Sequence, residues 1–213
     1  MVFFSFQFVG INSVLKERAV SPATFFPAIM AYLILILLSP AYNSFAFEGK
    51  GIQSYFMAPI RFREVLLGKN LFLVSLVVLE LTVSLTVLVY RVGWPPMPRF
   101  FATIAAGIFA VSGQLTIANW SSLSFPKKME IGKMKGQRNS GVAVWTAFGA
   151  QILVGGIATA VLLAGRWFDS PWLPVGVFLG LTVATLGGYA ASLSALDELA
   201  ERKKELLIET LCR

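Results

Sequence analysis

Apolar residues along this chain fall into five long runs separated by short polar segments. The runs cover residues 25–47, 71–90, 100–123, 141–165 and 172–195. Each is close to the roughly 20 residues that an α-helix needs to cross about 30 Å of hydrocarbon. The pattern predicts an all-α, polytopic transmembrane helix bundle with about five spanning helices. We expect this transmembrane domain to occupy residues 25–195, between an amino-terminal segment and a carboxy-terminal helix at residues 196–213.

The composition also indicates a lipid environment. Hydrophobic residues make up 56% of the chain, charged residues only 14%, and the mean hydropathy is +0.73. The net charge of +7 comes from basic residues in short loops beside the apolar runs, where such residues anchor helix ends. We therefore expect the lipid bilayer to be the surrounding medium, and no nucleic acid to be a partner.

The basic residues fall mainly on one side of the predicted membrane. The segments 48–69, 124–140 and 196–213 carry four, five and four Lys or Arg residues, whereas the segments on the other side carry two, two and one. Basic residues concentrate in cytoplasmic loops. This distribution predicts a multi-pass protein of the cell membrane with a cytoplasmic carboxy terminus and an external amino terminus.

The two terminal segments carry weaker signals. Residues 1–24 hold an apolar stretch that polar residues interrupt, too short for a span and without a signal-peptide cleavage site. It is either an interfacial helix or the stub of an upstream span, and the external amino terminus favours the stub. In the tail, Leu199, Leu206, Leu207 and Leu211 form an apolar stripe among alternating charges. That pattern predicts a helix that extends the last span and lies on the membrane or on a partner.

The segment between the first two runs, residues 43–70, has the mixed pattern of a helix at the membrane surface. Gly49 and Gly51 interrupt the first helix, and apolar residues then alternate with charged ones that include Arg61 and Arg63. The segment is either a plain amphipathic connector or a docking element.

Two further features divide this segment. Pro59 disfavours helical geometry at the preceding residue, which predicts two short helical pieces. Gly68 allows a tight turn before the second run, and Lys69 is placed to extend its charge to the membrane surface.

A family resemblance rests on these residues. Glu48 and Gly49 follow a span, Pro59 follows about ten residues on, and an aliphatic-aliphatic-Gly-Lys sequence opens the next span at residues 66–69. The arrangement resembles the permeases of type-2 ABC transporters. A second, weaker similarity is the basic loop at residues 125–137.

The resemblance implies a partner and a role for the segment. In that family the corresponding element is a coupling helix that docks on a separate ATP-binding cassette ATPase, and two permease chains form a homo- or heterodimer. The residues it marks for ATPase coupling are Glu48, Gly49, Pro59, Arg61, Arg63, Gly68 and Lys69. Permeases of this kind usually have six spans, so the resemblance also implies that one upstream helix is absent.

The chain lacks the residues that most enzymes and cofactor sites need. It contains no histidine and one cysteine, Cys212, and no G-x-x-x-x-G-K-[ST] motif for ATP phosphates. We expect neither catalysis nor a bound metal or cofactor, and energy for transport has to come from a partner.

Glu80 is the most unusual residue within the predicted spans, because it is ionisable. It lies midway along the second run, where a charge costs at least about 2.5 kcal/mol. The carboxyl is either a proton or substrate contact or a hydrogen-bonded packing group, and we expect it to face the bundle. Gln114, Asn119 and Gln151 are the available polar partners, although such amides more often join helices structurally.

Three functions remain open from the sequence. The first is the membrane permease subunit of an ABC-type exporter that a separate ATPase powers, with no indication of the substrate. The second is an ion-coupled secondary carrier that uses Glu80. The third is a non-transporting membrane scaffold or assembly protein.

Overall fold

The computed structural model describes residues 22–46, 48–128 and 141–212, which form helices joined by short turns. The α-helices are α1 (Pro22–Leu37), α2 (Ile52–Met57), α3 (Phe62–Val92), α4 (Met97–Ser124), α5 (Gly141–Trp167), α6 (Leu173–Arg202) and α7 (Lys204–Cys212). Two 3₁₀ helices, Ser39–Asn43 and Gly49–Gly51, lie between α1 and α2. The predicted amino-terminal segment up to residue 21 and residues 129–140 of the basic loop lie outside the described residues.

Among the described residues, five helical segments are long and apolar enough to cross a membrane, as the apolar runs predict. They are Phe25–Asn43, Phe62–Arg91, Met97–Ser124, Gly141–Trp167 and Leu173–Arg202. The first span is α1 continued by the 3₁₀ helix that follows it. The prediction of an all-α bundle with five spans is confirmed, and the chain is a polytopic helical membrane protein.

The two ends of the bundle differ in the length and charge of their connections. At one end, the Asn43 side chain donates to the carbonyl of Lys127 at 2.9 Å and accepts from its N–H at 3.3 Å. We call this end, which also carries α2 and α7, the basic end. At the other, short-loop end, the turns at residues 93–96 and 168–172 approach each other, and the Phe101 and Trp172 rings stack 6.4 Å apart.

Helix α4 is the centre of the bundle. Half of its most apolar stretch is buried, compared with 44% for the first span, 17% for α3, 11% for α5 and 17% for α6. It packs most extensively on α6, where Thr182 donates to the Ala105 carbonyl at 2.9 Å and Ser112 to the Thr185 hydroxyl at 2.7 Å. Small side chains allow this approach, and hydrogen bonds between helices hold it.

A second core lies at the basic end. We call it the basic-end core, and it joins the connection after α1 to α2, α3, α4, α6 and α7. Its buried members are Phe45, Ile52, Phe62, Leu66, Leu123, Leu196, Ala200, Leu207 and Leu211. Burying a leucine contributes about 2 kcal/mol relative to exposure. This core therefore attaches the interfacial helix α2 firmly to the spans.

The interfacial segment divides at Pro59 as predicted, but its second part is not a separate piece. Helix α2 ends at Met57, and Ala58 is extended with ψ 147°. Helix α3 then begins at Phe62 and runs without interruption to Val92. The predicted tight turn at Gly68 is wrong, because one isolated glycine lowers helix stability by only about 1 kcal/mol.

The carboxy-terminal tail differs from its prediction. Helix α6 extends to Arg202, as expected, but the chain then bends at Lys203 and α7 folds back. Leu207 and Leu211 are fully buried against the chain's own interfacial segment, whereas Leu206 is 40% exposed. The buried leucines of the apolar stripe therefore pack against another part of the same chain.

Helices α5 and α6 meet at a very close contact at the short-loop end. A Cβ added at Gly165 lies 2.5 Å from Cγ of the rigid Pro174 ring, whereas one added at Gly156 meets nothing within 4 Å. We expect Gly165→Ala to destabilise the protein by about 1–3 kcal/mol because the ring cannot move aside. Thermal unfolding in detergent measures this loss, and Gly156→Ala is the control that retains stability. Equal midpoints for the two variants contradict the packing.

Candidate functional site

Lys69 is the centre of a polar cluster at the basic end. Its ammonium group forms an ion pair with the Glu48 carboxylate and donates to the Ser44 carbonyl at 3.0 Å. It also lies 5.1 Å from the centre of the Phe45 ring. The second carboxylate oxygen of Glu48 accepts from the Tyr55 hydroxyl at 3.1 Å. The cluster therefore joins the connection after the first span, the interfacial helix and the start of α3.

The cluster is partly shielded from water. The side chains of Lys69 and Glu48 are 23% and 22% exposed. Burial raises the pKa of Tyr55, and the charge of Glu48 and its hydrogen bond raise it further. Tyr55 therefore stays protonated and keeps donating to Glu48. Because shielding strengthens charge interactions, this pair is worth more than an exposed surface pair.

A second polar contact fixes the start of α3 to the end of α6. The Asp197 carboxylate accepts from the backbone N–H of Arg63 at 2.7 Å, and its other oxygen lies 3.8 Å from Nε of Arg63. Arg61, just before the helix, is extended. Asp197 thus supplies the capping acceptor that a free helix amino terminus needs. Sequence reasoning missed Asp197 because it lies 134 residues from its partner.

Helix α7 also packs on the interfacial helix α2. Lys204 lies 5.3 Å from the centre of the Phe56 ring, and the Cys212 sulfur is 3.8 Å from the Gly49 carbonyl. Gly49 has a φ of +50°, a conformation that glycine adopts without strain. The glycine therefore lets the chain turn from Glu48 into α2.

The last residue of α2 and the segment between α2 and α3 are largely exposed. We call residues 57–61 the apex. Met57 is 84% exposed and Ile60 is 44% exposed, and both Pro59 and Arg61 are exposed. The apex presents two apolar side chains and one cation on a rigid base. Of the predicted coupling residues, it contains Pro59 and Arg61.

The remaining predicted coupling residues occupy different positions. Glu48 and Lys69 lie behind the apex, in the polar cluster, and Arg63 is bound to Asp197. Gly68 is exposed within α3 and makes no close contact that a Cβ would disturb. The structure therefore separates an exposed apex from the residues that hold it.

The intramembrane amides form two separate groups. Gln114 and Gln151 bond to one another through two hydrogen bonds of 3.1 and 3.0 Å, between α4 and α5. Asn119 accepts from Asn70 at 3.2 Å, and Asn70 also donates to the Tyr189 hydroxyl at 2.8 Å. These bonds join helices, as such amides commonly do. No local sequence pattern pairs Asn70 with Tyr189.

Glu80 stands apart from these groups. It is half-buried, at the border between the inner face of α3, with Val77 and Ser84, and the outer face, with Leu79 and Val83. Within the described part of the chain, no hydrogen bond or ion pair involves its carboxyl. The structure does not bring it to Gln114 or Gln151.

No metal-binding group of three or more His, Cys, Asp or Glu residues occurs in the ranges that the structure describes. Comparison with protein-family models, curated proteins and solved structures finds no match. The resemblance to transporter permeases therefore rests on the sequence alone, on the residues around Glu48 and Lys69 and on the weaker similarity of the basic loop.

The shielding of the polar cluster leads to a testable difference between two ion pairs. A double-mutant cycle with Glu48→Gln and Lys69→Met should give a coupling energy of about 1–2 kcal/mol. The same cycle at the exposed Glu198–Arg202 pair, with side chains 75% and 78% exposed, should give about 0.5 kcal/mol or less. Chemical unfolding in detergent measures both. Equal coupling energies show that Glu48 and Lys69 behave as an ordinary surface pair.

The position of Glu80 leads to a second prediction. Glu80→Leu should leave the unfolding midpoint unchanged or raise it, because a costly polar group leaves the membrane and no bonded partner is stranded. Gln114→Leu is the comparison, and it should cost about 0.6–1.7 kcal/mol because it strands the Gln151 amide. Thermal unfolding distinguishes the two variants. An equal loss for both contradicts the placement of Glu80.

Proposed function

We propose that the chain is the membrane permease subunit of an ABC-type exporter, powered by a separate ATP-binding cassette ATPase. The observation that carries the proposal is the Glu48–Lys69 ion pair, which fixes the interfacial helix to the start of α3. The residues that make this contact are those in which the sequence resembles permeases of type-2 ABC transporters.

The contacts suit the transmission of force from the apex to the spans. Lys69 joins the interfacial segment to α3, Asp197 joins α3 to α6, and α7 packs beneath α2. A rigid displacement of the apex would therefore act on α3 and α6 together. A plain connector needs none of these bonds.

The apex has the chemistry of a docking surface. Met57 and Ile60 suit an apolar recess, and Arg61 suits an acidic residue at its rim. Apolar anchors surrounded by complementary charge are typical of binding hot spots. The sequence has no ATP-binding motif, and the proposal therefore assigns ATP hydrolysis to a separate ATPase.

The proposal also specifies how the chain is oriented in the membrane and how it assembles. Docking on an ATPase requires the basic end to face the cytoplasm, in agreement with the excess of Lys and Arg there. The spanning helices α3 and α5 are largely unburied within one chain. Their outer faces are available to lipid and to a second permease chain in a homo- or heterodimer.

The two alternatives receive less support. An ion-coupled carrier needs its carboxyl in a polar path, and Glu80 lies beside the exposed apolar residues Leu79 and Val83. A scaffold needs no fixed link between an interfacial helix and a span. The permease proposal gives that fixed link a role.

The proposal is tested through the apex. Arg61→Glu should abolish co-purification with an ATPase subunit and leave membrane insertion intact, because Arg61 is exposed and lies outside α3. Affinity purification from the native membrane measures the association. Arg202→Glu is the matched control, a charge reversal at an exposed position of the same end.

Two outcomes contradict the proposal. One is that the unmutated chain retains no ATPase, which favours the carrier or the scaffold. The other is that both variants retain the ATPase equally. Arg63 is unsuitable for this experiment, since reversing its charge also breaks its contact with Asp197.

A further inference from the structure

A narrow crevice runs along α4 between α1 and α5. Ala102, Ala106 and Ala110, spaced one turn apart, form its back wall, and Met30 and Ala158 line its sides. Its volume is about 220 Å³. Small residues at this repeated position leave room for an occupant along the axis of the helix.

The crevice opens at the short-loop end. A wider cavity of about 520 Å³ begins there and shares Pro27, Ala102, Thr159 and Leu162 with it. Its outer lining includes Arg99, Arg166 and Asp169. Among the described residues, two basic groups and one acidic group thus line the mouth.

The other end of the crevice is closed. The hydrogen-bonded Gln114–Gln151 pair lies at its inner limit, and the 3₁₀ helix Ser39–Asn43 packs on both α4 and α5 beyond it. The distance along α4 from Ala102 to Gln114 is about 18 Å at a rise of 1.5 Å per residue. One leaflet of a bilayer has roughly 15 Å of hydrocarbon. The crevice therefore has the depth of one leaflet.

The aromatic residues near the mouth indicate its depth in the membrane. Trp94 and Trp172 lie at the same end, with Trp172 stacked on Phe101. Tryptophan concentrates at the level of lipid headgroups, and arginine binds phosphate through several donors. The chain thus presents cations at headgroup depth and an apolar channel directly beneath them.

We propose that this crevice binds one acyl chain of an anionic phospholipid from the leaflet at the short-loop end, with the phosphate beside Arg166 and Arg99. The apolar walls match the chain, the blind end at Gln114–Gln151 matches its length, and the arginine side chains at the mouth favour an anionic headgroup over a zwitterionic one. The site lies within one chain and away from the apex. It stands whether or not an ATPase binds.

The test uses the purified full chain in detergent, titrated with phosphatidylglycerol or phosphatidylcholine and measured by native mass spectrometry. Phosphatidylglycerol should give the more persistent bound species. Ala106→Phe fills the crevice and should weaken that binding about tenfold or more. Arg166→Gln should reduce the preference for phosphatidylglycerol about fivefold.

The matched control is Ala160→Phe, the same enlargement at an exposed position of α5 outside the crevice. It should bind phosphatidylglycerol as the unmutated chain does, and thermal unfolding checks that both variants fold. Should Ala106→Phe fail to fold, phosphatidylglycerol with a diazirine in its acyl chain supplies the readout on the unmutated protein. Its label should map to the peptides around Met30, Ala106 and Ala158.

Three outcomes overturn the inference. One is equal phosphatidylglycerol binding by Ala106→Phe and Ala160→Phe. Another is a label spread evenly over the outer face of α3. The third is palmitate binding as tightly as phosphatidylglycerol and displacing it, which assigns the crevice to free fatty acids instead.

Discussion

The ion pair between Glu48 and Lys69 determines how the basic end of this protein is built. A lysine at the start of a span ordinarily extends its charge toward the headgroups, and its side chain then stays mobile. Here Glu48, the Ser44 carbonyl and the Phe45 ring hold the ammonium group against the chain that leaves the first span. The carboxylate in turn holds Tyr55. One contact thus converts an amphipathic connector into a fixed part of the spanning bundle, and the apex projects from it.

Two cores of different physical origin stabilise the molecule. Within the hydrocarbon, lipid is as apolar as the side chains, so α4 and α6 associate through close packing and through hydrogen bonds such as Thr182 to Ala105. At the basic end water is the competing solvent, and the hydrophobic effect drives burial of Leu207 and Leu211. This difference explains why α7 folds back on α2. Its apolar stripe gains more from covering Ile52 than from contact with headgroups and water.

The sequence was sufficient to predict the spans, but not how the spans are oriented relative to each other. Hydrophobic length is a local property, so the five spans and the break before Pro59 could be predicted from short windows. Pairs such as Gln114 with Gln151, or Arg63 with Asp197, depend on how two helices rotate toward each other, and no local pattern encodes that rotation. Glu80 shows the same limit. Its depth in the membrane follows from its position in the run, whereas its place at the border of the buried face follows from the packing of α3 on α1.

The apex and the lipid crevice lie at opposite ends of the first span, yet a short series of contacts connects them. Lys69 binds the Ser44 carbonyl, and Ser44 directly follows the 3₁₀ helix that packs on α4 and α5 at the closed end of the crevice. A displacement of the apex that acts on α3 would therefore also reach this turn through Lys69. Contact of this kind transmits energy only when an element on the path has two stable arrangements. The 3₁₀ helix is the element best placed to have them, because its hydrogen bonds are weaker than those of the α-helix that it continues.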